Sequence, residues 1–232
     1  MINIVLKRQQ EKLKKHRAQQ LGADTNQPEP ELQPIDFVAV EGALQADIKA
    51  LSNIKDVKDK LEVKKTHLLP KYSATVNAYI DSGARYPNPV LFYCAMWAID
   101  IGDIETGLTY ASVAIEQQQI APSHFSRDCP TFFAEQIADY AVSKIDKETV
   151  SLDQIETVTL EQIESIADNL ATNKWPVTEP IVRGKVFKVA GMYAELSGDL
   201  KKALAHFETA QKENEKAGCK NRIKQIKEKL NS

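Results

Sequence analysis

The sequence predicts an all-α fold, a long helix followed by helical hairpins. Three observations predict it. Apolar residues recur at spacings of three and four along most of the chain, no segment sustains the alternation of a strand, and one two-helix pattern occurs twice. The organising stretch is residues 91 to 118. Its first helix carries Phe92, Met96, Trp97 and Ile99, and its second carries Leu108, Ala111, Val113, Ala114 and Ile115. Gly102 and Asp103 stand between them: glycine tolerates the left-handed conformation that ends a helix, and aspartate caps the next one.

A second copy lies near the C-terminus. Met96 and Trp97 align with Met192 and Tyr193, and Gly102 and Asp103 with Gly198 and Asp199. Ile104 then aligns with Leu200, Leu108 with Leu204 and Ala114 with Ala210. The small-residue and aromatic pattern resembles a tetratricopeptide hairpin, but two separated copies do not make a regular solenoid.

The remaining elements follow in order. Residues 1 to 22 read as a basic N-terminal helix stopped by Gly22, with Ile4, Val5, Leu6, Leu13 and Leu21 apolar. Residues 23 to 35 carry three prolines and no apolar periodicity, so they read as a flexible linker. Residues 36 to 83 read as an oligomerisation region built on one long helix from Asp36 to about His67. Its narrow stripe, including Leu44, Ile48, Leu51, Ile54, Val57 and Leu61, suits either a seam between subunits or packing on the helices that follow.

Leu68, Leu69 and Pro70 mark a kink or restart, because proline has no N–H for the helical ladder. A helix through Val76, Tyr79 and Ile80 stops at Gly83, and residues 84 to 232 form the helical-hairpin domain. Within it, residues 120 to 130 read as a loop, and a helix through Phe132, Phe133, Ile137 and Tyr140 follows. The acidic stretch 146 to 171 holds one or two helices, and breaks fall at Pro176 and Pro180. A terminal helix carrying Ile223, Ile226 and Leu230 lies beyond Gly218.

Composition bounds the function. With 232 residues, 43% of them hydrophobic and 27% charged, the chain holds one large or two small packed domains. No apolar run approaches the roughly 18 residues of a membrane helix, so no membrane partner is expected. The short apolar stretch at the N-terminus is too brief for a signal peptide. Cys94, Cys129 and Cys219 give neither a metal spacing nor a disulfide framework. The net charge of −2 hides an asymmetry. In residues 1 to 22, Lys7, Arg8, Lys12, Lys14, Lys15 and Arg17 face Glu11 alone, and residues 212 to 232 are also basic, so the middle is acidic. Two basic ends suit a polyanionic partner.

Candidate chemistry is sparse. Asp100, Asp103 and Glu105 could be taken for metal ligands, but Asp103 and Glu105 occupy the cap and first turn of a helix, where acids are favoured anyway. His124, Arg127, Asp128 and Cys129 share one loop without a third residue to orient a nucleophile and base. No glycine-rich phosphate loop occurs. No cofactor, metal or catalytic residue is therefore expected. The six basic residues from Lys7 to Arg17 are the candidate DNA-binding set, through phosphate contacts that release counterions, with a solvated helix face as the other reading. The C-terminal basic helix has an ordinary packed face and reads as a cap.

From residue 65 onward the sequence resembles a known family. The run LLPKYSATVNAYIDSGARYPNPVLFYCAMWAIDIGDIETGLTYASVAIEQ, the loop and aromatic-acidic stretch at Pro130, Phe132, Phe133 and Glu135, and the hairpin at Gly198, Asp199, Ala203, Leu204, Ala205 and His206 are similar to the small terminase subunit of temperate contractile-tailed bacteriophages. Residues 1 to 64 share only its layout, a basic start and then a long helix. The resemblance implies viral genome packaging in the host bacterial cytoplasm. It implies a ring-like homo-oligomer that binds the packaging-start or cohesive-end region of double-stranded phage DNA and recruits the terminase large subunit, which holds the ATPase and nuclease. Members of the family have been labelled endonuclease subunits, but no carboxylate cluster with metal-ligand spacing is read here, so cutting is expected to fall to the large subunit. A helical-repeat scaffold that binds only proteins is the alternative, and an endonuclease subunit is a third reading.

Overall fold

The computed structural model describes residues 37 to 145 and 158 to 231. These residues are helical and contain no strand. The helices are α1 (Phe37–Asn53), α2 (Val57–Val63), a π-helical segment (Lys64–Leu68), α3 (Leu69–Asp81), α4 (Pro89–Ile101) and α5 (Ile104–Glu116). They continue with α6 (Cys129–Ile145), α7 (Leu160–Ala171), α8 (Pro180–Leu196), α9 (Leu200–Glu213) and α10 (Lys220–Asn231). The all-α fold expected from the sequence is the one observed. The residues fall into two compact units. The first holds residues 37 to 97 and 110 to 129, the second 98 to 109, 130 to 145 and 158 to 231.

The two Gly-Asp turns are the same in atomic detail. Gly102 has φ 87° and Gly198 has φ 84°. In the first turn the Gly102 N–H donates to the Ile99 carbonyl (3.0 Å) and the Asp103 N–H to the Ala98 carbonyl (2.9 Å). In the second the Gly198 N–H donates to Glu195 (3.1 Å) and the Asp199 N–H to Ala194 (3.0 Å). Each pair closes a Schellman motif and satisfies the last carbonyls of the outgoing helix. Each aspartate then caps the incoming helix. Asp103 accepts from the Thr106 N–H at 3.2 Å, and Asp199 from the Lys202 N–H at 3.0 Å.

The stretch expected as one helix from 36 to 67 is two. Asp56 takes an extended ψ of 133° and its carboxylate accepts from the N–H groups of Lys58 (2.7 Å) and Asp59 (3.2 Å). A side chain that caps so well competes with the backbone for helical hydrogen bonds, and the ladder breaks there although the apolar spacing runs straight through. Conversely, the break expected at Pro70 does not occur. The Leu69 N–H reaches back to the Lys64 carbonyl, and the wider π register carries the chain past the proline into α3 without a turn.

The first unit is built on aromatic contacts. Phe37 and Tyr79 both meet Tyr86 edge-on, with centroids at 5.0 and 4.8 Å, and Trp97 lies 5.6 Å from Tyr93 and 6.1 Å from Tyr72. Trp97, Phe92 and Leu44 are fully buried. Edge and tilted geometries of this kind add to the area term.

The second unit rests on close approach of α8 and α9, with α7 and α6 against α8. Gly191 stands where a Cβ would lie 2.8 Å from the Phe207 ring, and Gly184 where one would lie 2.7 Å from the Asn214 Cβ. Ala190, Ala194, Ala203 and Ala210 are all buried, so small residues set this interhelical distance. Gly191→Ala should therefore destabilise the chain by about 1 to 3 kcal/mol through overpacking. Gly42→Ala, inside α1 with nothing within 4 Å of its Cβ, should stabilise it by up to about 1 kcal/mol. Urea unfolding of both variants checks the contrast.

Candidate functional site

The first unit contains a buried polar junction. Gln118 has φ 54°, rare outside glycine, and ends α5 with the hydrogen bonds of a third Schellman turn: Gln118 N–H to Ile115 (2.9 Å) and Gln119 N–H to Ala114 (2.8 Å). This carries Gln119, 8% exposed, inward. Its Oε1 accepts from the Asn88 N–H at 2.8 Å, and its Nε2 donates to the Tyr86 carbonyl and the Tyr79 hydroxyl, each at 3.0 Å. Tyr79 in turn donates to Gln117 Oε1, and Gln117 Nε2 to the Ala84 carbonyl at 3.1 Å. Asn88 caps α4 by accepting from the Leu91 N–H at 3.1 Å. The junction ties α3, the 82 to 88 turn, α4 and the end of α5 together. It holds amides and hydroxyls but no nucleophile and base, so its work is structural.

The sequence candidates for chemistry separate. Asp103 caps α5 and Glu105 stands in its first turn, while Asp100 accepts from Gln136 Nε2 at 2.7 Å. Among the described residues no group of three or more His, Cys, Asp or Glu side chains is placed to hold a metal. His124 is exposed and its Nε2 lies 3.2 Å from the Tyr93 hydroxyl. Burial pushes the Tyr93 phenol up to about 12. Cys129 is buried at the head of α6, and desolvation, with Asp128 beside it, pushes its thiol far above the ordinary cysteine value. A thiol so held is not a ready nucleophile. Burial raises Cys94 and Cys219 likewise.

The candidate DNA-binding residues Lys7, Arg8, Lys12, Lys14, Lys15 and Arg17 lie outside the described residues. The candidate seam residues have mixed exposure. Leu44 is fully buried within its own unit, and Ile48, Leu51, Ile54 and Leu61 are half-buried. Val57, 68% exposed, is the most exposed large apolar residue described. No helix among the described residues is long and apolar enough to cross a membrane.

Cations of the second unit are widely paired. Lys185 lies 2.9 Å from Glu135 and 2.8 Å from Asp139, and Lys227 lies 2.6 Å from Glu208. On the basic terminal helix Arg222 pairs with Glu195 at 2.6 Å. Arg183, which sequence reading missed, grips both oxygens of Glu213 at 2.9 Å and reaches the Leu170 and Val177 carbonyls at 3.3 Å. Only the fold reveals it, because its partners stand up to 30 residues away.

These features define an all-α protein built on packed helical hairpins. A family model described as phage small terminase subunit matches residues 42–174. Over 192 residues the chain is 30% identical to the protein named terminase, endonuclease subunit, of Escherichia phage P2, covering 81% of this chain and 71% of that one. Over 105 residues it is 38% identical to the probable terminase, endonuclease subunit, of Haemophilus phage HP1, covering 45% of this chain and 37% of that protein's length. No solved structure matches. The chain belongs to the phage small terminase subunit family.

The Arg183 guanidinium holds the Glu213 carboxyl below the ordinary carboxylate value, against the opposing effect of burial. A carboxyl lowered in the folded state stabilises the fold above its unfolded pKa and loses that contribution as pH falls through the folded value. Arg183→Met should cost about 2 kcal/mol at neutral pH. The deficit should narrow in acid, where Glu213 is protonated, and urea unfolding at neutral and acidic pH reads both.

Proposed function

We propose that the chain is the DNA-engaging subunit of a phage packaging terminase. The observation that carries the reading is membership of the small terminase subunit family, over more than half of the 232 residues. Family membership supports a role in genome packaging, and the charge of residues 1 to 22 supports its polyanion. Six bases there face one acid, on a segment joined to the folded body through a proline-bearing linker. Each phosphate neutralised releases counterions, so binding is sequence-independent in its main term and strongly salt-dependent. The half-buried seam residues and Val57 supply a contact between copies, and a homo-oligomer repeats the basic segment and multiplies a weak site. The helical body recruits the large subunit, in the host bacterial cytoplasm. The HP1 and P2 proteins carry the name endonuclease subunit; here cutting is assigned to the large subunit.

The double variant Lys14→Glu, Lys15→Glu should weaken binding to duplex DNA at least about tenfold and flatten its salt dependence. Affinity equal to the parent chain in fluorescence anisotropy would favour the protein-only scaffold instead. Light scattering addresses assembly: a multi-subunit mass is expected, and it should survive removal of residues 1 to 34. A monomer in both cases would sink the seam.

A further inference from the structure

We propose that the folded body carries a second duplex-contacting site, formed by Lys58 and Lys65 on the helix through α2 and the π segment, with Lys49 and Lys55 on the stretch that leads into it. This rests on the DNA-engaging reading above and adds to it a site within ordered helices. Every lysine among the described residues of the first unit lies between positions 49 and 71. That clustering is confined to the end of α1, the 54 to 56 break, α2, the π segment and the first turn of α3. Lys49, Lys55, Lys58 and Lys65 are exposed; Lys60 is half-buried and, two residues from Lys58, lies about 160° from it round the helix, outside the site. None of these four exposed lysines makes an ion pair among the described residues, whereas Lys71, just beyond them, is held 2.6 Å from Asp47.

The acids of the segment do not balance the lysines. Asp56 turns its carboxylate onto the Lys58 and Asp59 N–H groups of its own helix, which leaves Asp59 and Glu62 as the remaining carboxylates between Lys49 and Lys65. An exposed cation without a carboxylate partner is available to an external anion. Lys58 and Lys65 are seven residues apart, about 10 Å along a helix axis. Each strand of a duplex offers a phosphate about every 3.4 Å of its axis. The two lysines therefore reach separate phosphates. No aromatic side chain lies between 49 and 67, so the chemistry is phosphate contact and not base stacking.

The test compares the full chain with the double variant Lys58→Ala, Lys65→Ala on a duplex of about 30 base pairs, by anisotropy across a salt series. Alanine favours the helix, so folding is preserved. Binding weakened at least about tenfold, with the salt slope reduced by about 2, is expected. The light-scattering mass should equal that of the parent. Unchanged affinity and slope, in a chain whose binding is lost on Lys14→Glu, Lys15→Glu, overturns this proposal alone. Weakened binding accompanied by a smaller assembly also overturns it, and assigns the face to a contact between copies. A parent chain that binds no duplex overturns the function reading and this proposal with it.

Discussion

The left-handed backbone at Gly102 and Gly198 is the constraint on which the helical layout depends. A helix can reverse within two residues only if one of them takes positive φ and the carbonyls it leaves behind find donors. Both turns meet the two conditions with glycine and then aspartate, whose N–H closes the outgoing helix while its side chain starts the next. The α8–α9 hairpin then brings Gly191 against Phe207 and Gly184 against Asn214. A third reversal uses Gln118 in place of glycine. There the local cost of positive φ, about 1 kcal/mol or more, is offset by the buried bonds of Gln119 to Asn88, Tyr86 and Tyr79.

Charge is distributed with equal economy. In the second unit Arg183, Lys185, Lys188 and Arg222 meet carboxylates or carbonyls. Such pairs fix helices relative to one another within that unit but leave little field outside. Lys49, Lys55, Lys58 and Lys65 make no ion pair among the described residues, and the sequence places six bases in residues 1 to 22.

Much of the fold was legible in the sequence because its decisive signals are local. Gly and Asp in succession announce a turn wherever they stand, and Gly83, Pro180 and Gly218 mark boundaries that the structure keeps. The boundary misread at Asp56 came from weighing periodicity above capping, and the one at Pro70 from the proline's missing N–H, which the wider register before it accommodates. The Asp56 cap was present in the sequence, but apolar spacing continues across it. The π register at Lys64 has no signature a reader could use. Gly184, Gly191, Arg183 and Gln119 were missed for another reason: each acts on a partner far away in sequence, so its role exists only once the helices are packed. As for function, the basic character of the N-terminal segment was plain, whereas the lysine face became visible only when exposure and pairing could be separated from composition.

The central claim is that this chain holds duplex DNA through phosphates. The most direct measurement is the affinity of the full chain for duplex DNA between about 50 and 200 mM salt. With some six phosphate contacts, a loss of about 10³-fold across that range is expected. Affinity too weak to measure at the lowest salt, or one that salt leaves unchanged, would contradict it.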